Sequence, residues 1–443
     1  FLHSATILSI VFSVFFIIHP FPRLAAAEIN FVVFQQHISI TGLTLYINDC
    51  CRFNRHNTRR RYGFCRLTIA FFAACCYNIR KYRNLSGNGW ENSMAQQSAV
   101  IGIITPKREK NYSLSLMRFL AMLSLTTCHM FQQAGHEITA NLLSTSVQLF
   151  LLMSGYLYAH KEFTEPGSRV SFVLKNFVKI LLDYYLCVFL LIIPVYYFVA
   201  PWNLSGSNIY RMLIGRSGWQ GVHHLWYICH CLLCYMMTPA LYDLKKYFKE
   251  KNFTLPGVIL LIAAMEILLK SYESYFMPYW LSLYVIGYFV ADIGDEAKLK
   301  RLWIISCVLG AGLTALTYWY KFYYYDSIGG AVSTFVYYLF VFLFEYGVVL
   351  LGLAVFLSFI ILTRSVRWPQ WMRKLFDKTD VLSYDVYLVH MIFVEGCLSI
   401  IGKTGSAALE AAVTICEIFA AAVILHWISA KIKPLMNRLT AKL

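Results

Sequence analysis

From Met94 onward the chain is a succession of apolar runs, centred near residues 121, 151, 187, 233, 262, 284, 311, 346, 391 and 419 and separated by short polar segments. A run of about twenty apolar residues satisfies its backbone in lipid only as a helix. The expected fold is therefore all-α, a polytopic membrane bundle of about ten transmembrane helices. Composition agrees: 58% of the residues are hydrophobic and 14% charged. A net charge of +16 would suit nucleic acid only if the basic residues formed one continuous face. They fall instead in clusters between apolar runs, so the lipid bilayer is the expected partner and nucleic acid is not. Most of the thirteen cysteines lie inside apolar runs, where cysteine packs as a small hydrophobe, so no structural disulfide framework is expected.

The basic clusters alternate. Segments assigned to the inside carry 23 Lys and Arg, whereas those assigned to the outside carry five: Arg211, Arg216, Lys270, Lys321 and Lys403. By the excess of positive charge on cytoplasmic loops, both termini are expected in the cytoplasm, with an even number of spans. The run from Ala331 to Leu362 is longer than a bilayer requires and has Glu345 at its middle, which fits a tilted or protruding helix.

Residues 1–93 differ in kind. They open with an apolar run that resembles a secretory signal, with small residues Ala25 to Ala27 but no basic start, and pass through an Arg-rich and Cys-rich stretch. The expectation is an atypical N-terminal extension, upstream sequence never selected to fold, with Met94 as the natural start. Residues 94–443 would then form one membrane domain. Only about a dozen residues follow Ala430, so no soluble domain is expected after the last span.

Within the first run, YSLSLMRFLAMLSLTTCHMF, Arg118 and His129 stand eleven residues apart. Eleven steps of about 100° bring both to one helix face, about 16 Å apart along the axis. Ionisable groups in hydrocarbon are costly unless they face the bundle interior or a wet cavity, so this stripe is the first candidate site. Arg118 falls toward the cytoplasm and His129 toward the outer leaflet. Taken singly, Arg118 could be a snorkelling arginine and His129 a hydrogen-bonded core histidine.

Four motifs then occur in order: Arg118, Ala121 and His129; Phe150, Ser154, Gly155 and Tyr156 in FLLMSGY; Leu225, Trp226, Tyr227, Tyr235 and Pro239 in HHLWYICHCLLCYMMTPAL; and Ser383 to His390, SYDVYLVH. Together they resemble the acyltransferase-3 family of integral-membrane acyltransferases, over nearly all of Asn111 to Lys433. The resemblance implies transfer of an acyl group, most often acetyl from acetyl-CoA, to a hydroxyl of a glycan or lipid-linked sugar at a bacterial inner membrane. No permanently bound cofactor is implied; acyl-CoA is the donor substrate.

The chemistry suits the residues. A histidine can take the proton of an alcohol attacking a thioester, so His129 is the expected general base; covalent acyl transfer through His129 is the other route. Arg118 is assigned with it to the catalytic stripe, supplying positive charge to CoA phosphates or to the helix face that orients the donor. Lys175 and Lys179, at the entry to the third span, are assigned to the CoA phosphates, although relatives typically place arginines there and Asn176 stands between them.

Ser154, His224, Trp226, Tyr387 and His390 are assigned to the acceptor and acyl passage. Ser154 and Gly155 also serve close helix packing, and without a G-x-S-x-G elbow Ser154 is not read as a nucleophile. His223, Trp226 and His230 share a face that either lines the passage or forms an interfacial belt. Cys229 and Cys231 point about 200° apart, so a metal site is rejected. His136 and Glu137 could orient His129, but a solvated loop is the plainer account. Transport or flipping of a glycan precursor is the alternative function, which inverted repeats or broken helix pairs would mark, and neither stands out. A sensor module that only binds is a third, and the retained His129 argues against it.

Overall fold

The computed structural model describes residues 110–440, except 137–138, 141–142, 166, 217–218, 220, 270–276 and 321–333, and without the side chains of 334–335 and 435–440. The proposed boundary at Met94, Glu137 and Lys270 therefore lie outside the described residues.

The described residues are helical, with no strand among them. In chain order the helices are α1 (Tyr112–Gln133), α2 (Ser146–Tyr158), α3 (Ser168–Val199), α4 (Gly206–Leu213), α5 (Trp226–Glu250), α6 (Thr254–Leu269), α7 (Pro278–Val290), α8 (Glu296–Trp319), α9 (Thr334–Thr363), α10 (Gln370–Val394) and α11 (Ala407–Thr440). A 3-10 turn, His223–Leu225, leads into α5. Each of the ten expected centres falls inside one of these helices. Six helices, α1, α3, α5, α8, α9 and α11, are long and apolar enough to cross a membrane by themselves; α2, α6 and α7 are apolar but shorter.

Local chemistry sets the ends. The Asn111 side chain accepts the Ser113 N–H at 3.1 Å to cap α1, and Asp295 accepts the Ala297 N–H at 2.9 Å to cap α8. Pro278 opens α7, where its missing N–H costs nothing. Inside α3, Pro194 cannot donate to the carbonyl one turn back. The helix accommodates this by widening to a π turn at Val188–Ile192, with the Ile193 N–H bonded to the Val188 carbonyl.

Between helices in lipid there is little hydrophobic drive, and close packing decides adhesion. The contact of α2 with α7 illustrates this. A methyl at Gly155 would run into the Tyr284 carbonyl oxygen and stand 2.8 Å from the Tyr288 nitrogen, and one at Gly287 would run into the Leu152 carbonyl. Both glycines let backbone lie on backbone. The buried faces of α2, α7, α5 and the second half of α10 form the centre of the bundle. Against this centre α1 packs on α2, α9 and α10, while α11 closes over α10 and α3.

Candidate active site

The stripe on α1 runs alongside α10, and the two helices lie parallel, their first turns joined by Lys110 and Asp377 and their later turns by His129 and His390. The two ends of the stripe have different company.

At the far end three elements bring imidazoles together. His129 comes from α1, His224 from the turn before α5, and His390 from α10. The ring centroids are 5.4 Å apart for His129 and His390, and 4.8 Å for His224 and His390. Their tautomers follow from their partners, because a carbonyl oxygen can only accept. His390 donates from Nδ1 to the Tyr387 carbonyl at 2.7 Å, and His224 donates from Nε2 to the Leu388 carbonyl at 3.3 Å. Their other nitrogens, His390 Nε2 and His224 Nδ1, are buried without a hydrogen-bond partner. Tyr387 locks the arrangement by giving its hydroxyl hydrogen to the His224 carbonyl.

His129 follows the same pattern with more access. Its Nδ1 donates to the Gln132 side-chain carbonyl at 2.6 Å, which leaves Nε2 as the basic nitrogen. Glu395, just past the end of α10, places one oxygen 4.0 Å from His129 Nδ1 and the other 3.6 Å from His223 Nδ1. Burial pushes the Glu395 carboxyl up, and His223 pulls it the other way. The His129 side chain is 17% exposed and that of His223 45%, so this end opens outward.

The Arg118 end is closed by ions. Arg118 meets Asp380 at 3.0 Å, and Lys110 meets both Asp380 at 2.7 Å and Asp377 at 2.6 Å. Ser115 donates to the second oxygen of Asp380 at 2.6 Å. Two cations face two carboxylates, and each is paired.

The other expected residues divide. Tyr387, His390 and His224 join His129. Trp226 does not: half-buried, it turns to α7 against Trp280, centroids 5.5 Å apart, and against His230 at 4.8 Å. His230 is structural, donating from Nδ1 to the Trp226 carbonyl and accepting the Met277 N–H on Nε2. Ser154 is half-buried on α2 and makes no hydrogen bond with the histidines. Lys175 and Lys179 are exposed on the first half of α3, Lys179 within electrostatic reach of Arg118, Asp183 and Lys433. Asn176, between them, accepts the Tyr158 hydroxyl at 2.9 Å and ties α3 to α2.

Sequence reasoning missed Gln132, Glu395, Asp380 and the buried acids Asp183 and Asp385. Gln132 was findable, three residues after His129 on the same face. Glu395 was marked only by being the one acid at the end of a long apolar run.

Against known proteins, the model of the acyltransferase-3 family, described as an acyltransferase domain, matches residues 111–430. That span takes in every helix from α1 to α10 and most of α11. No curated protein and no solved structure matches the chain.

Proposed function

We propose that this chain, which belongs to the acyltransferase-3 family, moves an acyl group, acetyl in the first instance, from acyl-CoA to a hydroxyl of a cell-surface or lipid-linked glycan at a bacterial cytoplasmic membrane. The observation that carries the reading is His129, whose Nδ1 is held by Gln132 and whose Nε2 stays basic at the opening of the histidine group. An acceptor hydroxyl placed there gives its proton to Nε2 as its oxygen attacks the thioester carbonyl. The carbon–sulfur bond then breaks, and the CoA thiolate leaves to be protonated. Glu395, with an oxygen 4.0 Å from Nδ1, stands beside the ring on which that proton arrives.

Arg118 in this reading is a fixed charge near the donor end, held by Asp380 at a set depth, while Lys175 and Lys179 offer point charges for CoA phosphates. The orientation with both termini in the cytoplasm puts the donor at the Arg118 end and the acceptor at the His129 end. The test is direct: purified protein with acetyl-CoA, thiol release followed in the presence of glycan acceptors. Wild type releases thiol and acylates the acceptor, whereas His129→Ala, expressed at the same level, does neither. Release by the alanine variant at the wild-type rate ends the proposal.

A further inference from the structure

The opening of the histidine group holds one acid whose bonding is unfinished. Glu395 stands on the turn just after α10, with 13% of its side chain exposed. One oxygen lies 3.6 Å from His223 Nδ1 and the other 4.0 Å from His129 Nδ1, both longer than a hydrogen bond. The hydrogen on His129 Nδ1 is committed to Gln132 at 2.6 Å. Among the described residues, no group donates a hydrogen bond to the Glu395 carboxyl. A mostly buried carboxyl has about four acceptor positions, and leaving all of them empty is costly unless donors arrive from outside.

The placement is built into the backbone. The turn after α10 closes with the Glu395 and Gly396 N–H groups on the Met391 carbonyl, at 3.0 and 2.9 Å. Against it lies Gly221, with φ of +85°, where an added methyl would stand 2.5 Å from the Gly396 Cα. Backbone rests on backbone between this turn and the segment that leads into His223, so Glu395 has a fixed root. An acid that served only to tie these elements together would sit at bonding distance from a ring nitrogen, and Glu395 does not. Beside it stand the other groups an alcohol needs: His129 Nε2 as base, and the amide nitrogen of the exposed Gln132 as a donor.

We propose that Glu395 binds the acceptor by taking the hydrogen of the hydroxyl next to the one that reacts, so that the site selects a sugar edge with two neighbouring hydroxyls, the first on His129 Nε2 and the second on Glu395. With hydrogen bonds of about 2.7–2.9 Å at each end, two adjacent hydroxyls can bridge from Nε2 to the carboxyl oxygen that lies 4.0 Å from Nδ1 across the ring. A lone hydroxyl finds the same base but leaves the carboxyl without its donor. Sites built to bond a hydroxyl discriminate strongly against a ligand that lacks it. The inference rests on the acyl-transfer reading and narrows its acceptor to a 1,2-diol.

The experiment uses the purified full chain in a sugar-free detergent, with acetyl-CoA and three rigid alcohols: cyclohexanol, cis-1,2-cyclohexanediol and trans-1,2-cyclohexanediol. Ester formation per hydroxyl by wild type should be about 10- to 100-fold higher in kcat/KM for one diol than for cyclohexanol, the worth of one hydrogen bond to a charged group. Glu395→Ala should bring that ratio close to one, lowering the diol far more than cyclohexanol. Glu395→Gln, whose amide oxygen still accepts, should keep part of the preference. Glu395→Met carries the same comparison if the alanine variant does not fold. Ester formation without a preference, a preference that survives in Glu395→Ala, or an equal fall with diol and cyclohexanol, as a merely structural residue would give, overturns the proposal. A readout without turnover separates it from the enzyme reading: carbethoxylation of His129 by diethyl pyrocarbonate, followed by mass spectrometry. One of the diols, and not cyclohexanol, should slow this modification in wild type, and neither diol should in Glu395→Ala. No protection by either diol overturns the proposal. Protection without ester from any alcohol counts against the enzyme reading and not against the diol site.

Discussion

The two ends of the α1 stripe make opposite use of the same expensive currency, ionisable groups inside a membrane. At Arg118 and Lys110 each charge has found a counter-charge, Asp380 serving both and Asp377 one. At His129, His224 and His390 each ring has one nitrogen fixed by a carbonyl and one left as an acceptor. Paired charges hold helices in place; a ring bonded through one nitrogen keeps a lone pair on the other. One helix carries both, the ion pairs at its start standing about three turns from the imidazole.

The variants that break this comparison can be ranked. His129→Ala has the largest effect, a loss of acyl transfer of about 10²–10⁴-fold by the usual worth of a general base, with the unfolding midpoint unchanged. Asp380→Ala does the reverse. It leaves Arg118 without its counter-charge and Lys110 with Asp377 alone, and should cost about 1–3 kcal/mol, read from chemical unfolding, the partial exposure of both cations keeping the figure below that of a sealed pair. If Asp380→Ala is as stable as wild type, the ion pairs are not an anchor.

His390→Phe comes next. Removing the unpartnered nitrogen behind His129 should lower kcat about tenfold, or about 1.4 kcal/mol, with little change in KM. Lys110→Met is the mildest, at most about 1 kcal/mol and less in high salt. Burial by itself pulls the Lys110 ammonium down, but its hydrogen bonds to Asp377 and Asp380 win and raise it above the usual lysine value. Its contribution is therefore complete below that ordinary value and is lost as pH climbs through the raised one. A loss already seen near neutral pH would show that the pair does not hold.

Much of the fold was legible because apolar runs and helix geometry are local properties. The centres near 121, 187 and 419 could be placed from hydropathy alone, and the Arg118–His129 stripe from counting. The short helices α2 and α7 could be placed as well, but their closeness could not be judged, because it depends on Gly155 meeting Tyr284 across more than a hundred residues. The site was legible where partners lie on one helix. It was not where they lie on different helices. Asp380, five residues before Asp385 and ten before His390, looked like an ordinary acid of the span entry, and only the packing of α10 on α1 gives it Arg118. His230 was misleading for the same reason, since the Met277 N–H that occupies it comes from the residue just before α7.

The contact at Gly155 and Gly287 has one more implication. With no space for even a methyl between them, α2 and α7 cannot slide past each other without prying backbone from backbone, so they form a fixed post. Movement within the bundle is then left to the helices around that post.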